Sequence, residues 1–191
     1  RHQADLLYVY KTLKAHNFTD DDIILIMQDD IACHPKNKYP GVIKASEDGE
    51  NLYRDVVIDY RADTLGVNDI EDILVGNRSA RLTTVLESTE KDNVLLYWTG
   101  HGTNQSFSWL DTGEKFTDQQ MERTIRKMYE DKKYLSMLIF TEPCYSGSVI
   151  QAIEGIPLVL GITAADNNES SFAENYSENL GVWMCDRFTL N

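Results

Sequence analysis

The chain has 191 residues, 42% of them hydrophobic and 26% charged, a length and composition typical of one globular domain. Its 31 acidic residues outnumber 18 Lys and Arg residues. The resulting net charge of −13 argues against nucleic acid and anionic membranes as partners, because both attract cationic surfaces. The longest apolar runs are strand-sized, well short of the roughly 20 residues that a membrane-spanning helix needs.

The number and spacing of the cysteines limit the kinds of disulfide or metal site that the chain can form. The chain has three cysteines, Cys33, Cys144 and Cys185, which leaves at least one free thiol and is too few for a disulfide scaffold. No C-x-x-C pair is present, and the histidines lack the paired spacing of metal ligands. We therefore expect no metal and no cofactor, and one domain over residues 1–191.

The first part of the chain predicts a helix, a strand and a long loop. Apolar residues recur with helical spacing over residues 3–16, and a turn follows. Residues 23–27 form a continuous apolar run, the pattern of a strand covered on both faces. Residues 28–60 are polar and contain two prolines, which predicts a long loop of the kind that is often functional.

From residue 67 onward, predicted strands alternate with predicted helices. The strands are 94–98, 135–140 and 157–162, with a short extended piece at 106–110. The helices are 67–75, 117–129, 146–153 and 181–188. This alternation predicts an α/β fold with a mostly parallel sheet covered on both sides, in which active sites form at the carboxyl ends of the strands.

Two reactive side chains follow consecutive strands of this predicted sheet. His101 lies between two glycines after strand 94–98, and Cys144 follows strand 135–140. Because neighbouring parallel strands lie about 4.8 Å apart, their end loops can bring an imidazole and a thiol together. That pair is the minimum for nucleophilic catalysis by cysteine, and the N–H groups of Gly102 and Cys144 would form an oxyanion hole.

Each of these residues alone has a simpler interpretation. A histidine between glycines is compatible with a plain tight turn, and a lone cysteine is more often a buried, inert thiol. Their placement at strand ends of one α/β unit favours the catalytic interpretation.

The motifs that contain these residues resemble a known family. "YWTGHG" followed by "IFTEPCYSGS" is similar to the caspase-like cysteine peptidases, and within them to the legumain family of asparaginyl endopeptidases. "RHQAD" at the start, "DDIA" at 29–32 and "NNESSFA" at 167–173 also resemble legumains. The resemblance implies a caspase-like three-layer α/β/α sandwich whose first strand would lie upstream of Arg1, supplied by a longer sequence or by another chain.

The resemblance also implies an activity and a set of site residues. Cys144 would be the nucleophile and His101 the general base and acid of an endopeptidase that cuts after Asn, and after Asp at acid pH, through a thioester. Autoprocessing, a covering propeptide and a ligase side activity would accompany it. Protein or peptide substrates with Asn or Asp at the cleavage site would be the partners. The matching positions of the specificity (S1) pocket are Arg1, His2, Glu142, Ser170 and Ser171.

Such a pocket suits a side-chain amide, which offers one acceptor and two donors. Arg1 would donate to the carbonyl oxygen and Glu142 would accept from the amino group. Apolar side chains would be rejected because they would leave both charges unpaired. The alternatives are a surface position for Arg1 and a structural ion pair for Glu142.

Departures from the legumain pattern keep other functions open. Val182 stands where legumains usually have a pocket aspartate, which puts strict Asn preference in doubt. "ACHPKN", "DYR" and "GVWMCDRFT" also resemble the catalytic subunit of the glycosylphosphatidylinositol transamidase, although Glu142-Pro143 replaces its usual Asp-Thr. A catalytically inactive caspase-like binding module is the third alternative.

Sequons for N-glycosylation favour a secreted, periplasmic, endolysosomal or vacuolar protein over a cytosolic one, and the chance occurrence of so short a motif is the alternative. They occur at Asn17, Asn77, Asn104, Asn168 and Asn175. The final residue, Asn191, is also what autocleavage after asparagine would leave.

Overall fold

The computed structural model describes residues 1–110, 112–173, 176–178 and 182–183. The chain divides into two compact units, one of residues 1–64 and 172–191 and one of residues 65–171. The elements in chain order are α1 (His2–Ala15), β1 (Ile26–Met27), β2 (Tyr60–Arg61), α2 (Val67–Val75), β3 (Asn93–Trp98), β4 (Gly102–Thr103), β5 (Ser106–Trp109), β6 (Glu114–Thr117), α3 (Asp118–Glu130), β7 (Ser136–Thr141), α4 (Ser146–Ile150), β8 (Val159–Thr163), β9 (Tyr176–Ser177) and β10 (Val182–Trp183). The single domain expected over residues 1–191 stays a prediction.

The first unit has its core between α1 and the segments that follow it. Helix α1 matches the prediction for residues 3–16 within a residue at each end. The strand predicted at 23–27 is reduced to β1, which pairs in parallel with β2. The N–H of Leu25 instead donates to the Asp59 carboxylate at 2.8 Å, a side-chain bond that replaces the expected strand pairing.

The predicted long loop of residues 28–60 contributes to this core. Apolar side chains from the loop are buried together with Leu7 and Tyr10 of α1 and Met27 of β1. These loop residues are Ala32, Ile43, Ala45 and Leu52. Their isolated positions in a polar stretch have no strand or helix period, so the sequence pattern does not show that they are buried.

The second unit is built on a parallel sheet in the order β3-β7-β8. Trp98, Thr141 and Thr163 are aligned across the three strands, so the carboxyl ends of the strands meet at one edge. One face is covered, as Trp98 and Ile139 are buried. On the other face, Leu95 is 44% exposed and Leu160 is 60% exposed. The prediction that the sheet is covered on both sides is therefore wrong at these two positions.

A small antiparallel sheet, β4-β5-β6, packs against the covered face of the parallel sheet. The extended piece predicted at 106–110 is β5. The rings of Phe107 and Phe116 are fully buried, and their centroids lie 5.3 and 5.0 Å from that of Trp98. This aromatic cluster joins the hairpin that begins at Gly102 to the end of β3.

Helices α2 and α3 form close to where the sequence predicts them. Helix α2 ends at Gly76, whose φ of 85° is the left-handed conformation of a helix C-cap. Helix α3 begins with a capping box, in which the Thr117 hydroxyl accepts from the Gln120 N–H and the Gln120 side chain accepts from the Thr117 N–H. Its buried face carries Met121, Ile125 and Met128.

Glu71 of α2 joins the two helices through a charged network. Arg123 donates to it through Nε at 2.7 Å and through a second nitrogen, and Gln120 donates at 2.8 Å. Burial raises the pKa of Glu71, but the hydrogen bonds from Arg123 and Gln120 outweigh burial, so the pKa lies below its ordinary value. The network therefore stabilises the fold above the pKa of an unfolded glutamate and loses this contribution as the pH falls.

We expect Glu71→Gln to lower the free energy of unfolding by about 1–2 kcal/mol at neutral pH, because it removes the charged acceptor of Arg123. The difference from the wild type should shrink as the pH falls and Glu71 becomes protonated. Denaturant unfolding over a pH series measures this. Glu122→Gln is the matched control, since the exposed pair of Glu122 with Arg126 contributes little. Equal effects of the two substitutions would contradict the assignment.

Among the remaining elements, the structure corrects one predicted helix. The helix predicted at 146–153 is α4 followed by a 3-10 turn at residues 151–153. The helix predicted at 181–188 is wrong at its start, because Val182–Trp183 is strand β10, paired antiparallel with β9. Residues 184–191, which include Cys185, lie outside the described residues. No helix in the described part of the chain is both long enough and apolar enough to span a membrane.

Candidate active site

His101 begins a β-hairpin at the carboxyl end of β3. The preceding Gly100 has a φ of 151°, a conformation that side chains other than glycine rarely adopt, and it turns the chain out of the strand. The carbonyl oxygen of His101 accepts from the Ser108 N–H at 2.9 Å, so its backbone is tied to β5. The imidazole is exposed.

Cys144 lies in a sharp turn at the carboxyl end of β7. The Glu142 N–H donates to the Trp98 oxygen at 3.0 Å, which extends the β3–β7 pairing by one bond. Tyr145 then takes the left-handed conformation, with a φ of 58°, and α4 begins at the next residue. Cys144 is half-buried.

The hairpin and the cysteine turn are in direct contact at Gly102. A Cβ atom at this position would lie 2.2 Å from the Cys144 carbonyl oxygen and 2.8 Å from Pro143 Cβ. Only glycine fits without a shift of backbone, which gives a packing reason for the second glycine of "GHG". The loops that carry His101 and Cys144 therefore adjoin each other, while the catalytic roles of the two residues stay a prediction.

Ser171 is next to the thiol. The Cys144 sulfur lies 3.7 Å from the Ser171 carbonyl oxygen and 3.8 Å from its hydroxyl. Ser170 and Ser171 are both half-buried. One of the predicted pocket residues, Ser171, thus reaches the cysteine from the loop that follows β8.

The start of α4 holds that loop in place. The Gly147 N–H donates to the Ala165 oxygen at 3.0 Å, and the buried Ser146 hydroxyl contacts both the N–H and the oxygen of Ala165 at 3.3 Å. A Cβ at Gly147 would lie 2.6 Å from the Asn167 side-chain oxygen. The residues directly after the cysteine therefore position the segment that brings Ser171 to it.

The other predicted pocket residues occupy different environments. Glu142 is only 2% exposed, which excludes a solvated surface role for its carboxylate. Strand β7 ends at Thr141, so side-chain alternation does not extend from Glu142 to Cys144. Arg1 and His2 are half-buried at the start of α1, in the first unit, whereas Glu142 and the two serines are in the second. A common pocket for all five stays a prediction.

Ser148 is a residue that the sequence pattern does not single out. It is 8% exposed on α4 and its hydroxyl bonds to both Gln105, in the hairpin turn, and Tyr145. Its partner Gln105 is 43 residues away in the chain, and no local motif signals a bond of that separation. Across the described residues, no group of three or more His, Cys, Asp or Glu side chains is arranged to hold a metal ion.

Comparison with known proteins assigns the chain to a family. A Caenorhabditis elegans protein named putative GPI-anchor transamidase is 33% identical over 196 residues, covering 99% of this chain and 60% of that protein. The delta-isozyme of the Arabidopsis thaliana vacuolar-processing enzyme is 33% identical over 202 residues, covering 100% of this chain and 43% of the relative. Mouse legumain is 32% identical over 195 residues, covering 100% and 44%.

The chain thus spans between 43% and 60% of the length of these relatives. The model of the Peptidase C13 family matches all of residues 1–191. The chain therefore belongs to the Peptidase C13 family, whose caspase-like α/β fold is the one predicted from the sequence.

Proposed function

We propose that the protein containing this chain is a cysteine endopeptidase that hydrolyses peptide bonds after Asn, with Cys144 as nucleophile and His101 as general base and acid. The observation that carries this proposal is the contact of the two strand-end loops at Gly102 and the Cys144 carbonyl. It supports the approach of the exposed residue His101 to the half-buried Cys144 that this chemistry requires.

The proposed reaction has two steps. His101 takes the proton from the Cys144 sulfur, and the thiolate attacks the scissile carbonyl carbon. The N–H groups of Gly102 and Cys144 stabilise the oxyanion that forms. His101 then protonates the leaving amine as the C–N bond breaks, which leaves a thioester. Water, deprotonated by His101, attacks the thioester and releases the carboxylic acid and the thiol.

The proposed S1 pocket consists of Arg1, His2, Glu142, Ser170 and Ser171. A site with fixed charges at both ends binds an amide and rejects apolar side chains. The burial of Glu142 supports this role, since charge interactions with an amide are stronger for a carboxylate that is shielded from bulk water. An Asp substrate would place a second carboxylate beside Glu142 and should need acid pH. The loss of an aspartate at Val182 should relax the preference for Asn.

The second candidate function is a transamidase, in which an amine instead of water takes the acyl group from the same thioester. A relative named putative GPI-anchor transamidase, as similar to this chain as the vacuolar-processing enzyme, favours it. Both candidates use His101 and Cys144 in the same roles, so they differ only in the acceptor.

We expect a fluorogenic Ala-Ala-Asn peptide to be hydrolysed at least about 10³-fold more efficiently than its Ala-Ala-Ala counterpart, because an Ala side chain would leave the polar pocket unpaired. An Ala-Ala-Asp peptide should be cut only at the acid end of a range from about pH 4 to pH 8. The measurement is kcat/KM of the full-length protein for each peptide, with and without an added primary amine.

Each alternative has its own result in that experiment. Product formed only with the amine would contradict hydrolysis and support the transamidase. No product, together with no labelling of Cys144 by an electrophile, would contradict both and support an inactive binding module. Glu142→Gln is the matched variant for specificity: it should remove the acid requirement for Asp and keep Cys144 reactive.

We propose a location in the secretory or vacuolar route, with protein substrates and, before activation, a propeptide over the site. The name of the Arabidopsis relative, vacuolar-processing enzyme, supports the location. The sequon asparagines that the structure describes are all exposed, as glycosylation would require: Asn17, Asn77, Asn104 and Asn168. Asn175 lies outside the described residues.

A further inference from the structure

We propose that Ser148 is a positioning residue that holds the His101 hairpin against the cysteine turn, an inference that rests on the catalytic roles proposed above. Its hydroxyl oxygen lies 2.7 Å from the Gln105 nitrogen and 2.6 Å from the Tyr145 carbonyl oxygen. The Gln105 N–H only donates and the Tyr145 oxygen only accepts, so the hydroxyl accepts from the first and donates to the second. One buried side chain thus connects both strand-end loops.

Both of the connected turns are conformationally costly. Gln105 and Tyr145 each have a φ of 58°, a left-handed conformation that is unfavourable for a residue other than glycine. Such turns persist only where surrounding bonds hold them. The Gln105 oxygen also accepts from the Asp118 N–H at 2.9 Å, so its peptide groups are held from α3 on one side and from Ser148 on the other.

The hairpin connects Gln105, which these bonds hold in place, to His101. Gln105 is in the turn between β4 and β5, and His101 immediately precedes β4. Two further bonds hold the strands together, from the Ser108 N–H to the His101 oxygen and between the hydroxyls of Thr103 and Ser106 at 2.9 Å. Because residue 102 is a glycine, no side chain there fixes the hairpin to the cysteine turn. The aromatic cluster around Trp98 holds the base of the hairpin, and the bonds at the tip hold its other end beside the cysteine turn.

A purely local role for Ser148 explains only half of these contacts. Serine hydroxyls often bond to a carbonyl three or four residues earlier in a helix, as Ser148 does with Tyr145. That role needs no bond to Gln105, in a different element of the unit. The two roles predict different effects on the reactivity of the thiol, which makes them separable by experiment.

We expect Ser148→Ala to lower kcat for an Asn substrate about 10- to 100-fold and to change KM less than about twofold, because it misplaces the catalytic pair and leaves the pocket intact. The rate of Cys144 alkylation by iodoacetamide, measured over a pH series, should fall toward that of His101→Ala, because a misplaced imidazole activates the thiol less. Mass spectrometry of the Cys144 peptide excludes a signal from Cys33. Ser148→Thr keeps the hydroxyl and should restore both properties.

Ser88→Ala is the matched control, since it removes a hydroxyl bonded at 2.6 Å to the Lys133 oxygen, in segments that lead into β3 and β7. It should leave kcat and the alkylation profile unchanged. Alkylation that is slowed by His101→Ala but is as fast in Ser148→Ala as in the wild type, together with an unchanged kcat, would overturn the role of Ser148. A wild-type profile identical to that of His101→Ala would refute the catalytic pair itself, and the role of Ser148 with it.

Hydrogen exchange of the wild-type protein tests the bond even if Ser148→Ala does not fold. We expect the Gln105 amide to be protected from exchange although Gln105 is exposed. Exchange at the rate of an unprotected amide would overturn the proposal.

Discussion

Replacing Cys144 with alanine is expected to reduce hydrolysis of an Asn peptide by at least about 10⁴-fold, because no thioester can form without the sulfur. His101→Ala should cause a loss of similar size, since the thiol then lacks both a base and a proton donor for the leaving amine. The double variant should be no worse than either single one, because the two residues act as a unit. Steady-state kinetics of the three variants measure this.

Cys33→Ala is the matched control for the nucleophile. Cys33 is an exposed free thiol in the first unit, so it reacts with alkylating reagents but is not expected to contribute to the reaction. Its replacement should leave kcat unchanged, and an electrophilic Asn peptide should still label Cys144 alone. Hydrolysis that survives Cys144→Ala, with the C144A protein folded, would eliminate the proposed mechanism.

The second large effect is expected at Gly102. In Gly102→Ala the new Cβ would lie 2.2 Å from the Cys144 carbonyl oxygen, so the hairpin or the cysteine turn must move. Overpacking of this kind costs about 1–3 kcal/mol of folding free energy. The shift also displaces an N–H group proposed for the oxyanion hole, whose loss typically costs about 10²–10³ in kcat. Thermal unfolding and kcat, measured on the same preparation, report the two effects separately.

Gly66→Ala is the control for this substitution. Gly66 has a φ of −99°, and a Cβ there would meet its nearest atom, in the Glu114 carboxylate, at an ordinary 3.5 Å. We expect a stability loss of at most about 1 kcal/mol, because alanine is a poorer helix N-cap than glycine, and an unchanged kcat. If Gly102→Ala behaved like Gly66→Ala in both measurements, the close contact of hairpin and cysteine turn would be wrong.

Regular elements were predicted where apolar periodicity is strong. Helices α1 and α3 have several apolar residues at helical spacing, and strands β3 and β7 are continuous apolar runs, so local pattern and final structure agree. The prediction failed at residues 182–183, where a two-residue strand is decided by its pairing with β9. It also missed the antiparallel hairpins around Phe116, because strands of two to four residues have too few alternations to be recognised.

In the candidate site, too, some features could be predicted from the sequence and others could not. The placement of His101 and Cys144 after consecutive strands follows from the order of elements, because parallel strands end at a common edge. The contact between Gly102 and Cys144, the approach of Ser171 to the thiol and the link through Ser148 depend on how separate loops pack. No local pattern of residues encodes such contacts.

The sequence by itself determined the α/β class, most of the order of helices and strands, and the placement of a histidine and a cysteine at successive strand ends. It could do so because hydrophobic periodicity and residue type are local properties of the chain. Only the tertiary structure decided which loops touch, which strand face is covered and which small side chains connect the hairpin to the cysteine turn. These features arise from packing and hydrogen bonds between residues far apart in the chain, such as Gln105 and Ser148, whose pairing exists only after folding.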